Sequence, residues 1–97
     1  MKISVLKLAR DDLKEIRGYL SKYGEGPPEK FRKSFGKFSE HVADMPYMYS
    51  QYKHNPLYRT AVIAYDFLVF YQIDEKKDIV KIFRILYGKR NIEPLMS

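Results

Sequence analysis

The sequence predicts an α+β domain: an N-terminal strand, an antiparallel pair of helices, and a three-stranded antiparallel β-meander with the helices on one of its faces, in the order β-α-α-β-β-β. Three observations carry this. The apolar period changes after Leu8 from alternation to three- and four-residue spacing. A second helical period follows the Pro27-Pro28 break. The stretch from Tyr58 to Asn91, YRTAVIAYDFLVFYQIDEKKDIVKIFRILYGKRN, then supplies runs of Val, Ile, Phe and Tyr that suit a pleated, half-buried surface.

The elements follow in order. In Lys2 to Leu8, Ile3 and Val5 alternate with polar residues, which predicts a first strand. From Ala9 to about Tyr23, the residues Leu13, Ile16, Leu20 and Tyr23 fall on one face of a helix. Asp11 and Asp12 are expected in its first turn, facing the positive end of the helix dipole, with Gly24 as a left-handed cap. A second helix is expected to start near Pro28 and to end before Pro46. Its apolar stripe is Phe31, Phe35, Phe38, Val42 and Met45, and its opposite face carries Lys30, Lys33, Lys37 and Glu40. Such an aromatic stripe is core before it is anything else, and Phe35→Ala is expected to cost about 3–5 kcal/mol of stability. The short link between the helices favours an antiparallel pair. Residues 47–57 hold three tyrosines and no period, which predicts an irregular connection packed by its own side chains or against a partner. The strands of the meander are separated at Tyr65-Asp66 and across Asp74 to Asp78, and Gly88 is expected to let the chain leave the sheet.

Ninety-seven residues make one domain with one core, residues 1–97. With 45% hydrophobic and 15% aromatic residues, the chain buries enough apolar surface to offset its ordering entropy. Cysteine is absent, which excludes disulfide frameworks and thiolate metal sites and suits a reducing cytoplasm. The opening MKISVLKLARDD has no long apolar run, so neither a signal peptide nor a membrane span is expected. Eighteen Lys and Arg against twelve Asp and Glu give a net charge of +6, which favours anionic partners such as nucleic acid or an acidic protein segment. The same excess also serves solubility alone.

No Gly-rich phosphate loop, HExxH or CxxC motif is present, and His41 and His54 are too distant in sequence for a local metal site, so neither metal nor cofactor is expected. The serines lie in no nucleophile-elbow context. What remains is a set of cations and phenols near the strands: Tyr58, Arg59, Arg84, Tyr87, Lys89 and Arg90. Such a set can hold a phosphate or a protein carboxylate, since Arg donates in a planar fork and Lys is a compact charge. Lys53 and His54 are within the irregular connection and join the set as phosphate-reaching candidates, against the simpler reading of a solvated loop. Arg84 lies among Val80, Ile82 and Leu86, so its head is expected to pair with a carboxylate or to emerge at the sheet edge. Lys89 and Arg90 follow the glycine and are expected to be exposed.

At these residues the chain resembles the RelE/ParE toxin superfamily of bacterial type II toxin–antitoxin systems, over nearly its whole length. The resemblance rests on the element order, on Tyr58-Arg59, on the run Phe67 to Ile73, and on the ending Arg84-Ile85-Leu86-Tyr87-Gly88-Lys89-Arg90-Asn91. That ending is similar to the ParE branch, with Tyr87 where a His is usual and Asn91 where an Asp is usual. The resemblance implies a toxin that acts by binding a cellular target such as DNA gyrase and is neutralised by a cognate antitoxin, in a toxin–antitoxin hetero-oligomer.

RelE-like members are instead ribosome-dependent mRNA endonucleases. Measured against them, Arg90 falls on a catalytic-type arginine, but Leu68 stands at the sheet arginine and Met96 where a C-terminal tyrosine is expected. Leu cannot stabilise phosphate charge and a thioether cannot do a phenol's acid–base work. A nuclease would have to rely on Arg84, Tyr87, Lys89 and Arg90. A toxin-like protein that only binds a partner is the third reading. For target or antitoxin binding, the resemblance and the charge together point to Lys53, His54, Tyr58, Arg59, Arg84, Tyr87, Lys89 and Arg90.

Overall fold

A computed structural model describes residues 1–96. Strand β1 is Lys2–Val5 and helix α1 is Lys7–Leu20, continued by a 3-10 turn at Ser21–Tyr23. Helix α2 is Gly26–Asp44. After a long connection come β2 (Arg59–Ile63), β3 (Phe67–Asp74) and β4 (Ile79–Tyr87), and a single-turn helix α3 at Glu93–Met96. The expected α+β order is the observed one. The sheet order is β1-β4-β3-β2: β2, β3 and β4 form the antiparallel meander, and β1 joins it in parallel beside β4.

Helix α1 begins two residues earlier than its apolar period suggests. Arg10 N–H already donates to Leu6 O at 3.0 Å, and Leu6 N–H is spent on Ile82 O of β4. Asp11 and Asp12 therefore lie beyond the first turn, and the dipole role expected of them is not theirs. The buried stripe is Ala9, Asp12, Ile16 and Leu20, rotated from the expected one: Leu13 is half-buried and Tyr23 exposed. Gly24 has φ +102°, a conformation that disfavours side chains, and its N–H closes the 3-10 turn on Ser21 O.

Helix α2 takes Pro27 and Pro28 in its first turn, where a missing N–H costs nothing. Phe31, Phe38 and Val42 are buried; Phe35 is half-buried, and Met45 is exposed because the helix has ended at Asp44. Phe31 meets Phe67 edge-on at 5.4 Å, and Phe38 meets Tyr49 and Tyr71 at 5.4 and 5.8 Å. The irregular connection is thus tied to the core through Tyr49.

Both long helices cover one face of the sheet, over Ala61, Ile63, Val69, Tyr71, Val80, Ile82 and Ile85. On the other face Phe70 and Leu86 form a smaller cluster with Ile92 and Met96, so the C-terminal turn covers the sheet's outer side. A bulge makes this two-sided burial possible. Arg84 pairs with Phe70 and Ile82 with Tyr71, leaving Phe83 as the extra residue. Without it, Ile82 and Ile85, three residues apart, would point to opposite faces.

Candidate functional site

The far end of β4 forms a lip. Tyr87 is 41% exposed, with its ring 5.7 Å from Phe67, and Lys89 and Arg90 are exposed in the turn that follows. The turn is closed by Arg90 N–H donating to Tyr87 O at 3.1 Å. Gly88 donates its N–H to Asp66 O at 2.8 Å, and a Cβ added there would sit 2.8 Å from the same oxygen. Gly88 is needed for close backbone approach, not for a positive φ: of the glycines, Gly24 alone has one. Its partner turn is unusual, because Tyr65 and Asp66 both take left-handed φ values, 62° and 61°.

Between this lip and α1 lies a groove of about 610 Å³. Its floor is apolar, built by Ile16 and Leu20 of α1 with Phe67 and Ile85 of the sheet. Four phenols from three segments line it: Tyr19 in the last turn of α1 with Tyr23 in the 3-10 turn that continues it, Tyr65 in the β2–β3 turn, and Tyr87 on β4. Tyr19 and Tyr23 meet edge-on at 5.7 Å, and hydrogen bonding to the Tyr23 phenol holds Tyr19 above its ordinary pKa, so it stays a neutral donor. The charged lining is Asp12, Glu15, Asp66 and Arg90.

Arg84 is not free to join this site. Its Nε and Nη2 donate to the two carboxylate oxygens of Asp12 at 2.8 and 2.9 Å, a fork-to-fork pair. Ile85 N–H donates to the same Asp12 oxygen at 2.9 Å, past the end of β1's pairing at Ile82. Hydrogen bonding to Asp12 raises the Arg84 pKa, so the guanidinium is charged throughout. The expected carboxylate partner is a residue of the helix.

The remaining candidates lie elsewhere. Arg59 pairs with Tyr71, four residues along β3 from the Phe67 that faces Tyr87, roughly 13 Å up the sheet. Its Nη1 donates to Tyr49 O at 2.6 Å and its guanidinium lies 5.0 Å from the Tyr47 ring, so it holds the connection in place. Tyr58 stacks on Phe83 at 5.0 Å on the outer face. His54 pairs with Glu93 at 3.2 Å and Asn55 Nδ2 donates to Met96 O at 3.3 Å, so this part of the connection anchors the C-terminal turn. Lys53 is exposed beside it. The structure thus brings Tyr87 and Arg90 together at the groove, with Lys89 between them in the turn, and separates them from Lys53, His54, Tyr58 and Arg59.

The model of the family described as "ParE toxin of type II toxin-antitoxin system, parDE" matches residues 3–92. The chain belongs to the ParE toxin family. Among solved structures, the fold of this ParE-family toxin is similar to a chain of the "Chromosomal ParDE TA system from P. aeruginosa", with a TM-score of 0.66 and 19% sequence identity, covering 92% of this chain and 97% of that one. No curated protein matches it. No helix among the described residues is long and apolar enough to cross a membrane.

Sequence reasoning missed the groove and, with it, Glu15, Tyr19, Tyr65 and Asp66. Tyr65 and Tyr87 are distant in sequence from the α1 end and from each other, and form no local motif. The available signal was Tyr19 and Tyr23, four residues apart, with Tyr19 off the apolar stripe of its helix.

Proposed function

We propose that this toxin acts by binding, not by cutting: the Tyr87-Gly88-Lys89-Arg90 lip and the adjoining groove engage a cellular target such as DNA gyrase in the cytoplasm, and a cognate antitoxin covers them. The observation that carries the reading is the pairing of an exposed cationic lip with an apolar, phenol-rimmed groove at the end of β4. Such a surface suits a partly disordered segment that folds on docking, with apolar residues in the groove and acidic ones at Lys89 and Arg90.

The committed arginines support binding over nuclease chemistry. Arg84 is spent on Asp12 and Arg59 on Tyr49 O, while Leu68 and Met96 pack in the outer apolar cluster. A phosphoryl-transfer site would have to work with Tyr87, Lys89 and Arg90 alone, beside a groove shaped for apolar side chains. The test is direct. Purified toxin is incubated with translating ribosomes and a reporter message, and separately with gyrase and relaxed plasmid. Intact message with blocked supercoiling is the expected result; discrete cuts within codons would establish the endonuclease instead.

A further inference from the structure

We propose that the groove accepts one Lys or Arg side chain, presented on an apolar segment of the cognate antitoxin, seated against the phenol rings and neutralised by Glu15 and Asp66. The identity of the partner rests on the toxin reading above; the chemistry of the groove does not.

The charge of the site runs against that of the chain. The whole sequence carries +6, yet the groove is lined by three carboxylates and one guanidinium. Asp12 is consumed by Arg84 and Ile85 N–H. That leaves Glu15 and Asp66 against Arg90; among the described residues neither carboxylate makes an ion-pair contact, and Glu15 acts on the Arg84 guanidinium only through space. Among the residues that line the groove, two acids beside one cation leave a sum of minus one, with Lys22, Lys30 and Lys89 outside the lining.

The rings point the same way. A phenol presents a negative π face, and several such faces around a confined space make a receptor for a cationic head. Two of these rings already attract the chain's own lysines: Lys22 Nζ lies 6.0 Å from the Tyr19 ring and Lys30 Nζ 5.3 Å from the Tyr65 ring. Neither lysine lines the groove. The Ile16, Leu20, Phe67 and Ile85 floor suits the aliphatic stem of a Lys or Arg, whose charged end then reaches the rim.

The turn that brings ring and carboxylate together is held deliberately. Tyr65 and Asp66 are consecutive non-glycine residues at positive φ, an uncommon arrangement that must be imposed from outside. It is imposed twice, by Gly88 N–H on Asp66 O at 2.8 Å and by Ser34 Oγ accepting from Ala64 N–H at 3.0 Å. Arg90 in the lining, and Lys89 next to it in the turn, would repel a uniformly basic segment. They select one with a single cationic anchor and acidic or neutral flanks.

Three tripeptide amides, acetyl-Leu-Arg-Leu, acetyl-Leu-norleucine-Leu and acetyl-Leu-Glu-Leu, separate the possibilities when titrated into the purified protein at low salt and followed by NMR of the tyrosine rings. The arginine peptide is expected to bind about tenfold more tightly than the norleucine peptide, with the glutamate peptide weakest, and to shift Tyr19, Tyr65 and Tyr87. Glu15→Gln with Asp66→Asn should bring the arginine peptide down to the norleucine level and leave the norleucine affinity unchanged. If the double variant does not fold, Glu15→Gln alone, at an exposed helical position, should remove a large part of the preference. An arginine peptide no tighter than norleucine, or a glutamate peptide tightest of the three, overturns the inference. Growth arrest on expression reports separately on the toxin reading. Arrest without arginine selectivity overturns this inference alone, whereas arginine selectivity without arrest supports the cation site and counts against the target-directed activity proposed above.

Discussion

Asp12 occupies a position in α1 where the helical stripe calls for an apolar residue, and it does so because three donors meet there: both arms of the Arg84 fork and the Ile85 N–H. The pair is largely shielded, with side-chain exposures of 10% for Asp12 and 17% for Arg84. Removing one partner leaves the other charge desolvated and alone. Asp12→Ala should therefore destabilise the domain by about 3–5 kcal/mol in urea unfolding, and Asp12→Leu with Arg84→Met should recover most of that loss. At the lip the opposite holds, because Lys89 and Arg90 are exposed and make no ion pair among the described residues. Replacing both with Ala should leave the melting temperature within about 2 °C of the parent while weakening growth arrest or antitoxin binding. An unchanged result in both assays would take them out of the site.

Among the elements, α2 shows how far a periodic stripe can be trusted. Five residues at helical spacing suggest five equivalent core positions, yet the helix lies so that Phe31 and Phe38 face the sheet and Phe35 sits at the boundary. Phe38→Ala should cost about 3–5 kcal/mol and Phe35→Ala clearly less, since a half-exposed ring leaves no closed cavity. Equal losses in denaturant titrations would contradict the placement of Phe35 at the boundary of the core. The two turns at the end of the sheet form another unit. Gly88 lies so close to Asp66 O that Gly88→Ala must push the β2–β3 turn aside. The expected outcome is faster amide exchange at Ala64 to Phe67 and weaker partner binding, with the α1–α2 side of the core unaffected.

For the whole molecule, Tyr71 links the layers: its ring lies in the helix-side core and its hydroxyl donates to Pro46 O at 2.9 Å. Burial pushes its pKa from 10.0 up to about 12. The unfolded chain then loses this proton first as pH rises, so the stabilisation is complete below pH 10 and is lost between pH 10 and about 12. Alkaline unfolding should steepen across that interval in the parent and be shallower in Tyr71→Phe, measured against the same variant at neutral pH. The sequence by itself determined the element order, the meander and the exposed cationic end of β4, because those depend on local period, on proline and glycine, and on charges adjacent in the chain. Only the tertiary structure decided that β1 runs parallel beside β4, that Phe83 is the bulged residue, that Arg84 belongs to Asp12, and that tyrosines from three distant segments share one groove with Glu15 and Asp66. Each of these joins residues far apart along the chain, and such a pairing is fixed by which surfaces can be buried together, a quantity that no local stretch of sequence contains.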